Sequence, residues 1–331
     1  MSLSVLIPTF RRPDSLGRAL NSVFAQDLTP DEIVIADNAP DASARPVVEA
    51  LRAASPCRVV YVHAPDPGVA NARNAGFAAA TGARIAQLDD DESAPPGWLS
   101  ALEAVRIATG AAVVFGPVKP EPEPQEASAF AAAWIRRLYA REPDLQDGVI
   151  DKPWGCGNSL IDRTRALLPD PIFDSCANET GGEDDILFSH MARTGAVFAW
   201  ASSAGVTEHV EDERLHLRHL ARRALAFGQG PSQTAALERR PLAVAGWMTV
   251  GLAQMALCGL AAGPAALVSA RAGAALADKA VQGAGKLIWF DFAAPRFYGR
   301  AKAEADPSFE AFSPKKTPQD EEDKNPLSPS S

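Results

Sequence analysis

Cysteine is scarce in this chain of 331 residues. The four present, Cys57, Cys156, Cys176 and Cys258, stand far apart, with neither the density of a disulfide scaffold nor the spacing of a metal knuckle. A reducing compartment is the simpler setting. No basic stretch, apolar core and small-residue cleavage site opens the sequence, and a strand begins almost at once at residues 3–7, so the catalytic part is expected in the cytoplasm. Positive charge is also in deficit: 32 Lys and Arg stand against 41 Asp and Glu, a formal net charge of -9, which argues against a nucleic-acid backbone as partner. No Gly-x-Gly-x-x-Gly follows the first strand, and the loop from Pro8 to Pro13 holds neither glycine nor lysine. That argues against a dinucleotide-binding oxidoreductase and against the phosphate loop of a nucleotidyltransferase.

What the chain does hold is enough apolar sequence, 47% with 22% charged residues, to bury a large core in one domain or two. Short β-rich runs at 3–7, 32–36, 58–62 and 83–88 alternate with helical patterns at 14–24, 44–54 and 69–80. This rhythm predicts an α/β fold with a mostly parallel central sheet and helices on both faces. A helix over 97–109 and a strand over 111–116 follow. The segment 117–125, with proline at 117, 120, 122 and 124, reads as a stiff connection rather than a core element. Further elements are expected as a helix at 127–139, an extended stretch at 154–162, a helix at 183–194 and a strand at 197–201.

Residues 242–270 carry no formal charge, enough for a helix to cross a hydrocarbon core about 30 Å thick. The run also contains Gln254 and Gly263-Pro264, so a span, an interfacial or re-entrant pair, and a soluble helical subdomain all stay open. Arg239-Arg240 and Arg271 flank it and could face anionic headgroups. Residues 303–331 are rich in Pro, Glu, Asp, Lys and Ser, the composition of a disordered tail.

The acidic run Asp89-Asp90-Asp91-Glu92 directly follows the buried-strand pattern at 83–88. Carboxylates beyond the C-terminal end of a parallel strand lie where open α/β sheets bind ligands, and they are costly to gather without a cation. A divalent metal and a phosphorylated ligand account for them; a solvated acidic turn before Pro95-Pro96 is the bland alternative.

In order along the chain, Val5-Leu6-Ile7-Pro8-Thr9-Phe10-Arg11-Arg12, Ala36-Asp37-Asn38, Gly68-Val69-Ala70-Asn71-Ala72-Arg73-Asn74-Ala75-Gly76, Leu88-Asp89-Asp90-Asp91-Glu92 and Gly182-Glu183-Asp184-Asp185 resemble the motifs of a family 2 glycosyltransferase with the GT-A fold, of the bacterial exopolysaccharide or succinoglycan type. The resemblance covers about residues 3–230. It implies a catalytic domain over 1–235, with a nucleotide-sugar half at 1–116 and an acceptor-side half at 117–235, then a helical extension at 236–302. No Gln-x-x-Arg-Trp follows the Glu-Asp motif, which makes a processive polymerase less fitting.

The resemblance also assigns roles. Pro8, Thr9 and Arg11 would form the nucleotide loop, with Asp37 and Asn38 at the nucleobase or ribose. Arg73 would reach diphosphate oxygens or make an ordinary salt bridge, and Asn71 and Asn74 would cap the helix or shape its loop. Asp91 would bind Mn²⁺ or Mg²⁺, Asp89 the ribose or the metal through water, and His209 could complete the metal shell. Asp90 would contact the donor or serve as a structural carboxylate. Asp184 would be the general base of an inverting transfer, with Glu183 orienting the acceptor or raising the base's proton affinity. Trp154 could stack on a sugar, whereas Trp200 suits the core. Arg222 and Arg223 could meet a donor phosphate or form a solvated basic face. The implied substrates are a nucleoside diphosphate sugar, with UDP first, and a glycan or lipid-linked glycan at the cytoplasmic membrane surface. A noncatalytic sugar-binding relative and a nucleotidyltransferase are the competing readings.

Overall fold

The computed structural model describes residues 2–122, 127–178, 181–295 and 297; the tail expected at 303–331 lies outside them. Strand β1 (Leu3–Thr9) leads into α1 (Pro13–Phe24), β2 (Glu32–Asp37), α2 (Arg45–Arg52), β3 (Arg58–His63), α3 (Val69–Ala79) and β4 (Arg84–Gln87). This is the predicted rhythm, and β3, β2, β1 and β4 are neighbours in parallel register. Alternation within each strand divides the core between the two faces of the sheet. Val5, Ile7, Ile33 and Ile35 pack under Leu16, Leu20, Val48 and Trp98, while Leu6, Val34 and Ile85 pack on the other face with Phe77, Phe115 and Phe188.

The second half is more mixed than the pattern predicts. After β5 (Glu92–Ser93), α4 (Trp98–Thr109) and β6 (Val113–Phe115) come β7 (Val118–Pro122), α5 (Ala129–Tyr139), β8 (Gly148–Ile150) and β9 (Ser159–Asp162). Next are α6 (Glu183–Arg193), β10 (Phe198–Trp200), β11 (Val206–Val210) and α7 (Asp212–Leu215). Among the described residues the main sheet has the order β3-β2-β1-β4-β9-β6-β10-β8, and β9 runs antiparallel to both of its neighbours. The sheet therefore passes without a break from the nucleotide half into the acceptor-side half.

The proline-rich segment read as a connection is instead the edge strand β7, parallel to β11 in a small sheet of order β5-β11-β7. Val118 exchanges both backbone bonds with Arg141 on the outer side, at 3.0 and 2.9 Å. By the strand's two-residue period, Pro120 turns its donor-less nitrogen the same way, so the ladder to β11 loses nothing.

Three helices close the described chain: α8 (Leu217–Leu237), α9 (Pro241–Val268) and α10 (Ala270–Leu287). The boundary expected at 235 falls in the last turn of α8. No break occurs at Gly263-Pro264, and α9 runs through both residues. Leu220 and Ala224 of α8, Ala274 of α10 and Trp134 and Ile135 of α5 form a third, smaller core.

Candidate active site

The acidic run emerges from β4 at the centre of the main sheet and turns at once into β5, which pairs with β11. The guanidiniums of Arg12, Arg73, Arg141 and Arg214 pair with the carboxylates around this turn. Asp91 is buried, and its Oδ2 faces Arg12 Nη1 at 2.9 Å and Arg214 Nη2 at 3.0 Å. Burial alone would raise its pKa, but Arg214 and then Arg12 hold it below the usual carboxylate value. Asp90 accepts a bond from Thr9 Oγ1 at 2.8 Å and one from Arg12 Nη1 at 3.1 Å. Its pKa is nonetheless pushed up to about 6, first by burial against the pull of Arg12, then by Asp91. These contacts fit the structural role for Asp90 and tie the loop after β1 to the acidic turn.

Arg73, open by sequence to a diphosphate contact or an ordinary salt bridge, is buried and makes salt bridges within the protein. Its Nη1 donates to Gln87 at 3.1 Å and its Nη2 to Asp89 at 3.0 Å, while Nε lies 3.4 Å from Glu183 Oε1. Burial works against this charge, yet Asp89 and Glu183 raise its proton affinity overall. One side chain of α3 thus joins the acidic motif of the donor side to the acidic first turn of α6. That turn begins where Gly181 and Gly182 both take positive φ, 81° and 91°. Glu183 is buried and pushed up to about 7 by desolvation, against Arg73 and with help from Asp184. Asp184 is half-buried and accepts from the backbone N–H of Asp185 at 2.9 Å and of Cys156 at 3.3 Å.

The floor between these groups is the segment 155–157. A Cβ on Gly155 would lie 2.6 Å from Arg141 Nη1 and 3.1 Å from Asp184 Oδ2. One on Gly157 would lie 2.6 Å from Asp89 Oδ2, 2.8 Å from Arg141 Nη2 and 2.9 Å from Glu92 Oε1. The acids of the 89–92 turn and of the first turn of α6 therefore pack, with Arg141, directly against one strip of backbone, whose two glycines leave them room. Trp154 sits at the end of this strip, its ring 5.4 Å from that of the fully buried Trp200.

Several assigned residues hold the cleft's frame rather than its surface. Pro8 is buried within β1. Asp37 is fully buried, and its oxygens accept from Ala39 N, Ala44 N and Tyr61 Oη at 3.0, 2.9 and 2.8 Å. Asn38 Nδ2 donates to the carbonyls of Ala64 and Asp66, and its Oδ1 accepts from Gly68 N. Asn71 bonds to Asp66, and Asn74 to Phe173. The cap on α3 comes from Asn178, whose Oδ1 accepts from Ala70 N at 3.0 Å. Arg11 takes a positive φ of 53° and approaches Asp41 at 3.4 Å. Arg222 and Arg223 stack against Phe297, at 5.8 and 5.0 Å.

His209, read as completing the metal shell or as bonded to backbone or Glu208, hydrogen-bonds to the turn at 91–93. Its backbone N–H reaches Asp91 O at 2.7 Å, but its ring Nε2 pairs with Ser93 Oγ at 2.8 Å. Neighbouring strand side chains alternate faces, so it is Glu208 that turns to the cleft, 3.0 Å from Arg214 Nη1. Glu208 stands directly opposite Glu92 across the β5–β11 ladder. Burial drives Glu208 up to about 7 and Glu92 well above its ordinary value, with Asp91 and Asp89 respectively adding repulsion. Sequence reading assigned no site role to Glu208, Arg141, Arg214 or Arg12. The doublet of acid and histidine at 208–209 was the available signal for Glu208.

Asp89 and Asp91 are hard oxygen donors of the type Mg²⁺ and Mn²⁺ take. Among the described residues no three Asp, Glu, His or Cys side chains converge as a metal site, and Asp91 Oδ2 already holds two guanidiniums. The donor chemistry fits an ion that would share its shell with ligand oxygens, not a closed protein cage.

Comparison with known proteins bears on this cleft directly. The model of glycosyl transferase family 2 matches residues 4–152. The succinoglycan biosynthesis protein ExoM of Rhizobium meliloti is 32% identical over 268 residues, which are 79% of this chain and 84% of that protein. A validoxylamine A glucosyltransferase of Streptomyces hygroscopicus subsp. limoneus is 31% identical over 132 residues, 37% of this chain and 29% of its own. The crystal structure of S. aureus TarS 1-349 in complex with UDP aligns over 86% of this chain and 90% of its own at 16% identity, with a TM-score of 0.48.

Proposed function

The chain belongs to glycosyl transferase family 2 and is a glycosyltransferase that draws on a nucleoside diphosphate sugar; from that premise we propose that its cleft performs a single inverting displacement, with Asp184 as base. The observation that carries this reading is the convergence of Asp89, Arg141, Glu92 and Asp184 on the backbone strip 155–157. In the proposed step the acceptor oxygen bonds to the anomeric carbon as the bond from that carbon to the diphosphate breaks. The acceptor proton passes to Asp184, and the bonding electron pair leaves with the diphosphate. Asp184 is suited to the task because it is half-buried and keeps an edge toward Gly155, whereas Glu183 is locked against Arg73.

A Mn²⁺ or Mg²⁺ ion, when bound, would offset charge on the departing diphosphate. Asp91 and Asp89 are the side chains to hold it, and Asp91 then has to yield an oxygen that Arg12 and Arg214 now occupy. Those guanidiniums, set at the same carboxylate, are the groups left to face phosphate oxygens. The acceptor in this reading is a glycan hydroxyl, carried on a lipid at the cytoplasmic face of the membrane, and UDP is the first donor nucleotide to test.

The deciding assay is nucleotide release from UDP-, GDP- and dTDP-sugars with glycan acceptors, with and without Mn²⁺ or Mg²⁺. Asp184→Asn at saturating acceptor should lower turnover by about 10²- to 10⁴-fold while donor binding is kept. Unchanged turnover in that variant would remove Asp184 as the base. Full turnover in chelator would remove the ion.

A further inference from the structure

Helix α9 presents apolar side chains to solvent along its whole length. Leu242, Leu257, Leu260, Leu267 and Val268 are 88%, 70%, 81%, 91% and 90% exposed. Gly251, Gln254 and Ala266 lie against α10, and the other residues turned inward include Cys258 and Ala262. A helix on a water-facing surface normally carries polar residues on its outer side. Here the outer side is the more apolar one, and only 6% of its most hydrophobic window is buried. The charges come at the ends, Arg239 and Arg240 before the helix and Arg271 just after it, all exposed. In a chain of net charge -9, the apolar face is thus flanked by cations.

We infer that α9 lies lengthwise in the interface of an anionic lipid bilayer and does not cross it. At about 1.5 Å per residue its 28 residues are long enough to span, so length does not decide the question. Its partner helix does. Gly251 of α9 meets Gly283 of α10, with a virtual Cβ only 2.6 Å from the Gly283 carbonyl, and further along Gly273 of α10 abuts Ala266 of α9. The two helices therefore run together, and α10 is fastened to the catalytic domain by polar contacts. Buried Asp278 accepts from Trp134 Nε1 at 3.2 Å and pairs with Arg137 at 3.1 Å. Ser232 and Gln229 of α8 donate to the carbonyls of Lys286 and Ile288 at 2.9 and 2.6 Å. To stand α9 across a membrane would carry Asp278, Lys279 and Lys286 of α10 into hydrocarbon beside it.

Lying flat, α9 puts its leucines into the acyl boundary and its flanking arginines at the headgroups, with α10 above as the mount. The stacked pair Trp289 and Phe290, ring centroids 4.9 Å apart, and exposed Phe292 follow α10 at the end of the hairpin where Trp247 also stands. Aromatic side chains suit that depth. Membrane docking itself does not depend on the sugar chemistry; only its use, to bring the cleft to a lipid-linked acceptor, rests on the transferase reading.

Flotation of the full chain with phosphatidylcholine vesicles, with and without phosphatidylglycerol, tests the proposal. The protein should float with the anionic vesicles, and the triple variant Leu257→Glu, Leu260→Glu, Leu267→Glu should stay at the bottom. Each of Arg239→Gln, Arg240→Gln and Arg271→Gln should weaken binding by roughly fivefold. Topology is read on floated protein carrying Glu238→Cys or Ser269→Cys, with Cys57, Cys176 and Cys258 replaced, using a membrane-impermeant maleimide added outside. Labelling at both positions is expected; labelling at only one would establish a span and overturn the inference. Lipid-free protein that is dimeric, is split by the triple variant and never floats would overturn it in favour of a second copy as the occupant. Nucleotide release to a soluble acceptor, measured in parallel, should be unchanged in the triple variant, so a failure of the enzymatic reading shows separately.

Discussion

Asp89 and Glu183 share one guanidinium: Arg73 Nη2 lies 3.0 Å from the first and Nε 3.4 Å from the second. Asp89 follows β4 and Glu183 opens α6, so this buried arginine ties the acidic turn to the first turn of that helix. Arg73→Met leaves Glu183 without its cation and should cost about 3–5 kcal/mol of stability, read as a lowered urea midpoint. Arg73→Lys keeps the charge but lacks the planar fork, so it should fold better than the methionine variant and still lose turnover. Wild-type kinetics in the lysine variant would show that the double contact is dispensable.

Stability of the ligand-free protein should fall as pH rises through neutrality. Glu183 and Glu208 are pushed up to about 7 and Asp90 to about 6, above ordinary values of 4.5 and 3.8. Groups shifted this way bind protons more tightly when folded, so their contribution is whole below the unfolded values and is lost as pH passes the folded ones. Asp91 is shifted the other way, by Arg214 and Arg12 against its burial, and its effect belongs to pH below its ordinary 3.8. Melting temperature should therefore drop from about pH 5 to about pH 8, and Glu183→Gln should flatten part of the slope. A wild-type profile level over that range would contradict the burial argument.

Gly157→Ala probes the shared floor of the cleft. The added methyl meets the ends of Asp89, Arg141 and Glu92, all within 2.9 Å, so the side chains have to move while the backbone need not. Folding should be little changed, and turnover should fall by about 10²-fold, the effect of misplacing reacting groups by about an ångström. Equal losses in melting temperature and turnover would mark the site as structural.

Asp278→Ala tests the mount of the apolar hairpin. Removing this buried acid leaves Trp134 Nε1 without its partner and Arg137 without its carboxylate. Hydrogen exchange in α9 and α10 should rise well before that of β1 and β2, while nucleotide release to a soluble acceptor persists. Exchange that rises everywhere together would show that the hairpin and the sheet unfold as one unit.

The donor half was legible because its physics is local. Each strand is a run of about five apolar residues, each helix repeats every three or four, and the acidic run announces itself where β4 ends. The acceptor half depends on distant pairings that no window of sequence contains. Phe198–Trp200 and Ser159–Asp162 were legible as a strand and an extended stretch, but not the partners they pair with, and Pro120 and Pro122 join a ladder because their parity points outward. At the site, the acids were visible as clusters, but their partners were not. Arg12, Arg141 and Arg214 arrive from three separate loops and turns, and His209 and Glu208 exchange roles through strand alternation alone.

Strand β9 is hydrogen-bonded on both edges, to β4 through Ser159–Asp162 and to β6 through Ser159–Ile161. It acts as a weld, and a welded plate cannot fold along its middle. The strand that carries the acidic turn and the strands leading to α6 therefore belong to one plate with no seam between them, and the acids around the cleft should keep their spacing when a ligand arrives.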